Sequence, residues 1–294
     1  MKHLLLLLLT AGLLTGCEKN VDFPLQQSEP KLVVEATIEN GQPPLVFITR
    51  SLNYFSNFSP ELLEGSFVHG AIVEISNGTA TYRLREYTVP ADTTNYFVSF
   101  YTIDSANLPN ALFGQLQTNY SLRIIADGEE YTAQTRIPAI TKRIDSLWWR
   151  PNPRDSSEGK VQVMGKVTDP PGYGDYGRYW TRRNGADIFL PGRNSVFDDL
   201  VVDGTTYTIP IDPGVDRNSS DGFDERVFRL GDTVTVKLAN IDRNTFDFWR
   251  TWEYSRQSIG NPFSTPTRVL GNISNGALGY FGGYAAQTRT IIIR

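Results

Sequence analysis

Four of the chain's Asx-Gly dipeptides, Asn40-Gly41, Asn77-Gly78, Asp127-Gly128 and Asp203-Gly204, stand between runs rich in β-branched and aromatic residues. Such dipeptides tolerate the positive φ that tight hairpin turns demand, so their recurrence confines most of the chain to antiparallel β-structure. The flanking runs alternate as strands should. In KLVVEATIENG, Leu32, Val34, Ala36 and Ile38 share one face; in EEYTAQTRI, Tyr131, Ala133, Thr135 and Ile137 oppose Thr132, Gln134 and Arg136. A hairpin with one dry face needs a second sheet over it, so residues 31–138 are expected to form an immunoglobulin-like β-sandwich.

Pro138 interrupts that pattern, and a second β-rich region is expected over 139–294. It carries Val161, Val163 and Val167 inward, a run around Asp203-Gly204, DTVTVKLANI, and a closing TRTIIIR strand. One amphipathic helix is expected near 244–259. Asn244 with Asp247 resembles a capping pair, Gly260 and Pro262 end the helix, and Phe246, Trp249, Trp252 and Ile259 form an aromatic-apolar stripe. Such a stripe suits docking on a sheet. The fold class is therefore mostly β.

The N-terminus is a different kind of segment. Met1-Lys2-His3 precedes an almost unbroken apolar run, Leu4 to Leu14, too short to cross a bilayer and suited to a signal peptide. It ends in Leu14-Thr15-Gly16-Cys17, which resembles a bacterial lipobox, so residues 1–16 are expected to be removed and Cys17 acylated. Each buried methylene contributes about 0.8 kcal/mol, so several acyl chains on Cys17 anchor a protein to lipid almost permanently. Residues 17–30 then read as anchor and tether, polar and proline-bearing.

Composition excludes several chemistries. The net charge is −4, which argues against nucleic acid, since that partner needs a basic face. Arginine outnumbers lysine by 21 to 7, a bias suited to contact surfaces. Cys17 is the only cysteine and His69 the only histidine beyond the leader, so Cys-Cys or histidine-rich zinc sites and Cys-His dyads are not expected. A Ser-His-Asp triad would have to run through His69. No Gly-x-x-x-x-Gly-Lys phosphate loop is present, and no cofactor is expected.

Three stretches carry candidate residues. DPPGYGDYGRYWTRRNG supplies Tyr173, Tyr176, Arg178, Tyr179, Arg182 and Arg183, residue types that dominate protein contact surfaces, or else simply a turn leading into a strand. GALGYFGGYAAQ supplies Tyr280, Phe281 and Tyr284 among glycines, either a partner surface or a strand packed closely against another backbone. Asp212, Asp216, Asn218 and Asp221, followed by Asp224 and Glu225, offer calcium-type oxygen donors. Their spacing departs from an EF-hand, because Asp221 falls where glycine is required and no glutamate stands at the twelfth position. Trp148-Trp149 offers at most one surface ring, since strand neighbours point to opposite sides.

Several segments together, among them SEPKLVVEATIENGQPP, IDSLWW, DFWRTWE and GNPFSTPTRVLGNISNGALGYFGGY, resemble a lipoprotein family of the Bacteroidota defined by domain of unknown function 4249. The resemblance spans essentially the whole chain after the leader. It implies a Gram-negative outer-membrane lipoprotein, often encoded beside TonB-dependent receptors, and assigns no catalytic or binding residue. The function expected is a non-enzymatic binding or accessory component, anchored to outer-membrane lipid through Cys17 and associated with a TonB-dependent transporter. The alternatives are a surface glycan- or peptide-binding module, or a carboxylate-dependent hydrolase.

Overall fold

The computed structural model describes residues 29–294, apart from 54–55, 57–58, 92–95, 154–158, 187, 217–226, 262–263 and 266. The chain is mostly β, its described residues forming three sheets and few helices. Cys17, with the leader and most of the tether, lies outside the described residues. Among the described residues no helix is long and apolar enough to cross a membrane.

The largest sheet has eight strands in the order β12-β11-β15-β16-β1-β2-β6-β5. They are β12 (Leu190–Phe197), β11 (Tyr176–Arg183), β15 (Thr233–Ile241), β16 (Leu278–Ile292), β1 (Leu32–Glu39), β2 (Leu45–Arg50), β6 (Phe97–Thr102) and β5 (Arg85–Pro90). Strand β16 pairs in parallel with β1, Val33 opposite Leu278 and Glu39 opposite Tyr284, and antiparallel with β15 on its other side. One sheet thus runs through both stretches of sequence, 31–138 and 139–294, and the chain's last strand sits beside its first.

Two smaller sheets cover one face of it. The first, β4-β3-β7-β8, comprises β3 (Ile72–Ser76), β4 (Thr81–Arg83), β7 (Thr118–Ala126) and β8 (Glu129–Ile137). It closes over β1, β2 and β16 around Val34, Ile38, Ile48, Val73, Ile124, Ile137 and Phe281. The second comprises β9 (Arg143–Pro151), β10 (Lys160–Thr168), β13 (Thr206–Ile211) and β14 (Phe228–Arg229), with β13 and β14 both paired to β10. It closes over β15 and the end of β16 through Val161, Val163, Ile211, Phe228, Val234, Val236 and Ile293.

The helix docks on the opposite face. A short helix, α1 (Pro60–Glu64), precedes it in the chain; the long one is α2 (Arg243–Ser258). Its cap is Asp242 rather than the expected Asn244: the Asp242 carboxylate accepts from Thr245 N at 2.8 Å. The same side chain accepts from Thr135 Oγ1 and Arg136 N of β8, both at 2.9 Å, so one residue starts the helix and ties it to a sheet. Phe246, Phe248 and Glu253 are buried and Trp249 and Trp252 partly so, whereas Ile259 lies beyond the helix and is 77% exposed. The stripe therefore stops at Trp252 and Glu253.

Strand alternation explains why β16 needs small residues. Phe281 and Ala285 face the first small sheet, while Tyr280 and Tyr284 face α2. A Cβ on Gly283 would overlap the carbonyl oxygen of Arg136, so the backbone of β8 passes directly over this glycine. At the far end Ile293 is fully buried and Ile292 half-exposed, so the closing isoleucines alternate rather than all facing inward. Of the four Asx-Gly dipeptides, Asp127-Gly128 is the tight turn joining β7 to β8, both residues having positive φ (53° and 82°). Asp203-Gly204 makes no hairpin; it lies between β12 of the large sheet and β13 of the second small one.

A carboxylate cluster as candidate functional site

Strand β10 ends at Thr168, and the next residue, Asp169, turns its side chain fully into the interior. Pro170 and Pro171 then stop the ladder, having no N–H to offer. Gly172 and Gly174, at φ +127° and +112°, turn the chain back into β11. Facing this loop is the one that follows β12. There Asp199 accepts from Gly174 N (2.8 Å) and Asp175 N (2.9 Å), and Asp203 accepts from Gly172 N (2.6 Å). Two loops distant in sequence are thus laced together by carboxylate-to-backbone hydrogen bonds, the charge-assisted kind.

The lacing gathers negative charge. One carboxylate oxygen from each of Asp169, Asp199 and Asp203 lies within 4.8 Å of the others, and Asp169 and Asp199 are buried. The counter-charge is Lys142, wholly buried, its Nζ 2.7 Å from Asp169 Oδ1. Beside them Asp175 accepts from Thr141 Oγ1 at 2.9 Å, and Thr141 in turn accepts from Asn240. Burial raises the Asp175 carboxyl above its ordinary pKa, against the opposing pull of Thr141 and Lys142. The Tyr207 hydroxyl is pushed up to about 12, by burial first and then by the charges of Asp169 and Asp199. That hydroxyl and Asp169 Oδ2 are buried without a hydrogen-bond partner, whereas Oδ1 is paired with Lys142.

The family described as a domain of unknown function, DUF4249, matches residues 18–290. The chain belongs to the DUF4249 family. No curated protein matches it.

In this DUF4249 chain the laced loops carry an apolar tip: Tyr173, Leu200 and Val201 are 75%, 69% and 94% exposed. Tyr173 and Leu200 line one recess of about 270 Å³ with Tyr176, Asp198, Arg243 and Arg250, the two arginines coming from α2. A larger groove of about 830 Å³ lies elsewhere, along β3, β7 and β8 beneath the strap 271–274, lined by Glu74, Ser76, Arg123, Gln134, Asn272 and Ser274.

The expected contact residues are split apart. Tyr173 is at the tip and Tyr176 lines the recess, stacked on Phe246 at 4.7 Å. Arg178 corrects the expectation: it is buried, 3.4 Å over the ring of Trp249. Tyr179 points to the other face, into the second core, where burial raises its hydroxyl pKa. Arg182 lies 4.6 Å over Phe189, and Arg183, half-buried, donates to Val227 O. Tyr280, Phe281 and Tyr284 are buried and form no contact surface, because their strand is central and both its faces are covered. Tyr280 stacks on Phe248 at 4.3 Å, and Trp249 Nε1 donates to Tyr284 at 2.9 Å.

The remaining candidates are dispersed. Asp212 and Asp216 are exposed, while Asn218, Asp221, Asp224 and Glu225 lie outside the described residues. His69 meets Glu86 at 2.6 Å, and the hydroxyl reaching that carboxylate belongs to Tyr101, which also donates to Val68 O. This is a tie between strands, and among the described residues no serine joins it. Trp149 packs in the second core and Trp148 is exposed. Sequence reading missed Asp169, Asp199 and Asp203 as a group. Their signal, aspartate at the edges of two glycine-bearing loops, is that of ordinary turns.

Proposed function

We propose that this protein is a non-enzymatic binding component, lipid-anchored through Cys17 in an outer membrane, whose folded body offers a fixed apolar tip to a protein partner. The observation that carries the reading is the exposure of Tyr173, Leu200 and Val201 on loops laced by Asp199 and Asp203. Apolar side chains held out on a pre-ordered support lose little entropy on docking, which favours a contact anchor. The Tyr176–Ile241–Tyr284–Glu39 register sets the tip at the Glu39 end of β1. The tether enters at the Leu32 end, about 25 Å away for a strand of this length. A body moored there would hold the tip away from lipid, which favours a protein over a bilayer as its partner.

The lipobox and the family resemblance make a TonB-dependent receptor the first partner to seek. The test is detergent extraction and affinity purification of the wild type and of a Tyr173→Ser/Leu200→Ser/Val201→Ser variant, both with unchanged melting temperature. A receptor should accompany the wild type and leave the variant. Recovery of both proteins alone, or with the same receptor in equal amount, would overturn the proposal. The hydroxyl- and amide-lined 830 Å³ groove favours glycan or peptide binding as a second reading, to be tested by calorimetry against Gln134→Ala.

A further inference from the structure

We propose that Asp169, Asp199 and Asp203 bind a divalent cation of the calcium class, fastening the loop after β10 to the loop after β12. Two oxygens on one ion stand no further apart than twice the metal–oxygen distance, about 5 Å for calcium. The three carboxylates meet that limit, with one oxygen each inside 4.8 Å. The lacing bonds use Asp199 Oδ2 and Asp203 Oδ1, which leaves the other oxygen of each outside them.

Independent of the cluster's proximity is what its deepest member lacks. The Asp169 side chain is fully buried, Lys142 meets its Oδ1, and its Oδ2 has no hydrogen-bond donor. Buried carboxylate oxygens are ordinarily satisfied by donors or metal, because leaving one bare costs several kcal/mol. The Tyr207 hydroxyl, equally buried and unpartnered, stands in the field of Asp169 and Asp199. Two buried groups thus lack partners within one negatively charged neighbourhood.

Charge points the same way. Lys142 alone leaves the three carboxylates with an excess of negative charge in a poorly solvated place, and a dication restores neutrality. The donors are all hard oxygens, with no imidazole or thiolate, which suits calcium and disfavours zinc or copper. Asp203 is only half-buried and gives the ion a way in. The inference does not depend on any partner at the tip.

The experiment uses the folded chain stripped with chelator and titrated with CaCl₂, and separately with TbCl₃, whose luminescence is excited through nearby tyrosine rings such as Tyr207. Calcium should raise the melting temperature by several degrees and compete terbium off. Asp203→Asn should weaken calcium at least ten-fold while still melting cooperatively without metal, and Asp216→Asn should bind as the wild type does. Absence of any shift or luminescence in the wild type up to millimolar calcium would overturn the site. So would unchanged affinity in Asp203→Asn, or loss of binding in Asp216→Asn instead.

Discussion

Arg178 and Glu253 reach the same hydroxyl from opposite sides: Arg178 Nε donates to Ser195 Oγ at 3.1 Å, and Ser195 Oγ donates to Glu253. The Ser195 N–H also lies 3.0–3.1 Å from the two Glu253 oxygens. Strand β11, strand β12 and helix α2 are joined by one buried polar relay, with the guanidinium stacked on Trp249. Removing one charge strands the other in the interior. Glu253→Ala is therefore expected to destabilise the fold by about 3–5 kcal/mol, read from urea unfolding. A loss below about 1 kcal/mol would mean the relay is solvated.

Asp242 serves two elements at once, capping α2 and accepting from β8. Asp242→Ala should cost more than an ordinary cap, about 2–3 kcal/mol in thermal or urea unfolding. Asn244→Ala should cost less than about 0.5 kcal/mol, since Asn244 is exposed and does not cap.

Gly283→Ala places a methyl against the Arg136 carbonyl, a backbone atom that cannot rotate aside. Overpacking of this kind typically costs about 1–3 kcal/mol. A shift in urea midpoint of that size, with unchanged slope, checks it.

Burial acts to raise the Glu86 carboxyl, but the Gly70 N–H, the His69 ring and the Tyr101 hydroxyl together hold it below its usual range. A depressed carboxylate contributes stability that is present above its unfolded pKa of about 4.3 and lost as pH falls through the folded value. Wild type should exceed Glu86→Gln by about 1–2 kcal/mol at pH 5, and the gap should narrow as pH falls below the unfolded value. A gap that stays constant on acidification would contradict the assignment.

Local pattern made some of this architecture readable. Leu32, Val34, Ala36 and Ile38 share a buried face because alternation is a property of neighbouring residues, and Asp127-Gly128 turns where a tight hairpin requires. The pairing of β16 with β1 was not readable, since register between segments some 240 residues apart leaves no local mark. That is why Tyr280, Phe281 and Tyr284 could be read as a partner surface as well as a packed strand: their glycines signalled close approach, but not that a sheet and a helix were the things approaching. The carboxylate cluster was hidden for a related reason. Lys142, Asp169 and the Asp199–Asp203 pair come from three separate stretches, and no spacing within any one of them resembles a metal motif. Arg178 alternates with its neighbours like a surface residue, and only the docking of α2 covers it.

The position of β16 also bears on how the chain can come into being. Synthesis delivers β1 early and β16 last, so the parallel edge of β1 waits through nearly the whole of translation for its mate. Until those final residues arrive, the central sheet is split into two halves with open edges, each able to pair with a stranger. Clipping the C-terminal fifteen or so residues would therefore not trim the molecule but divide it.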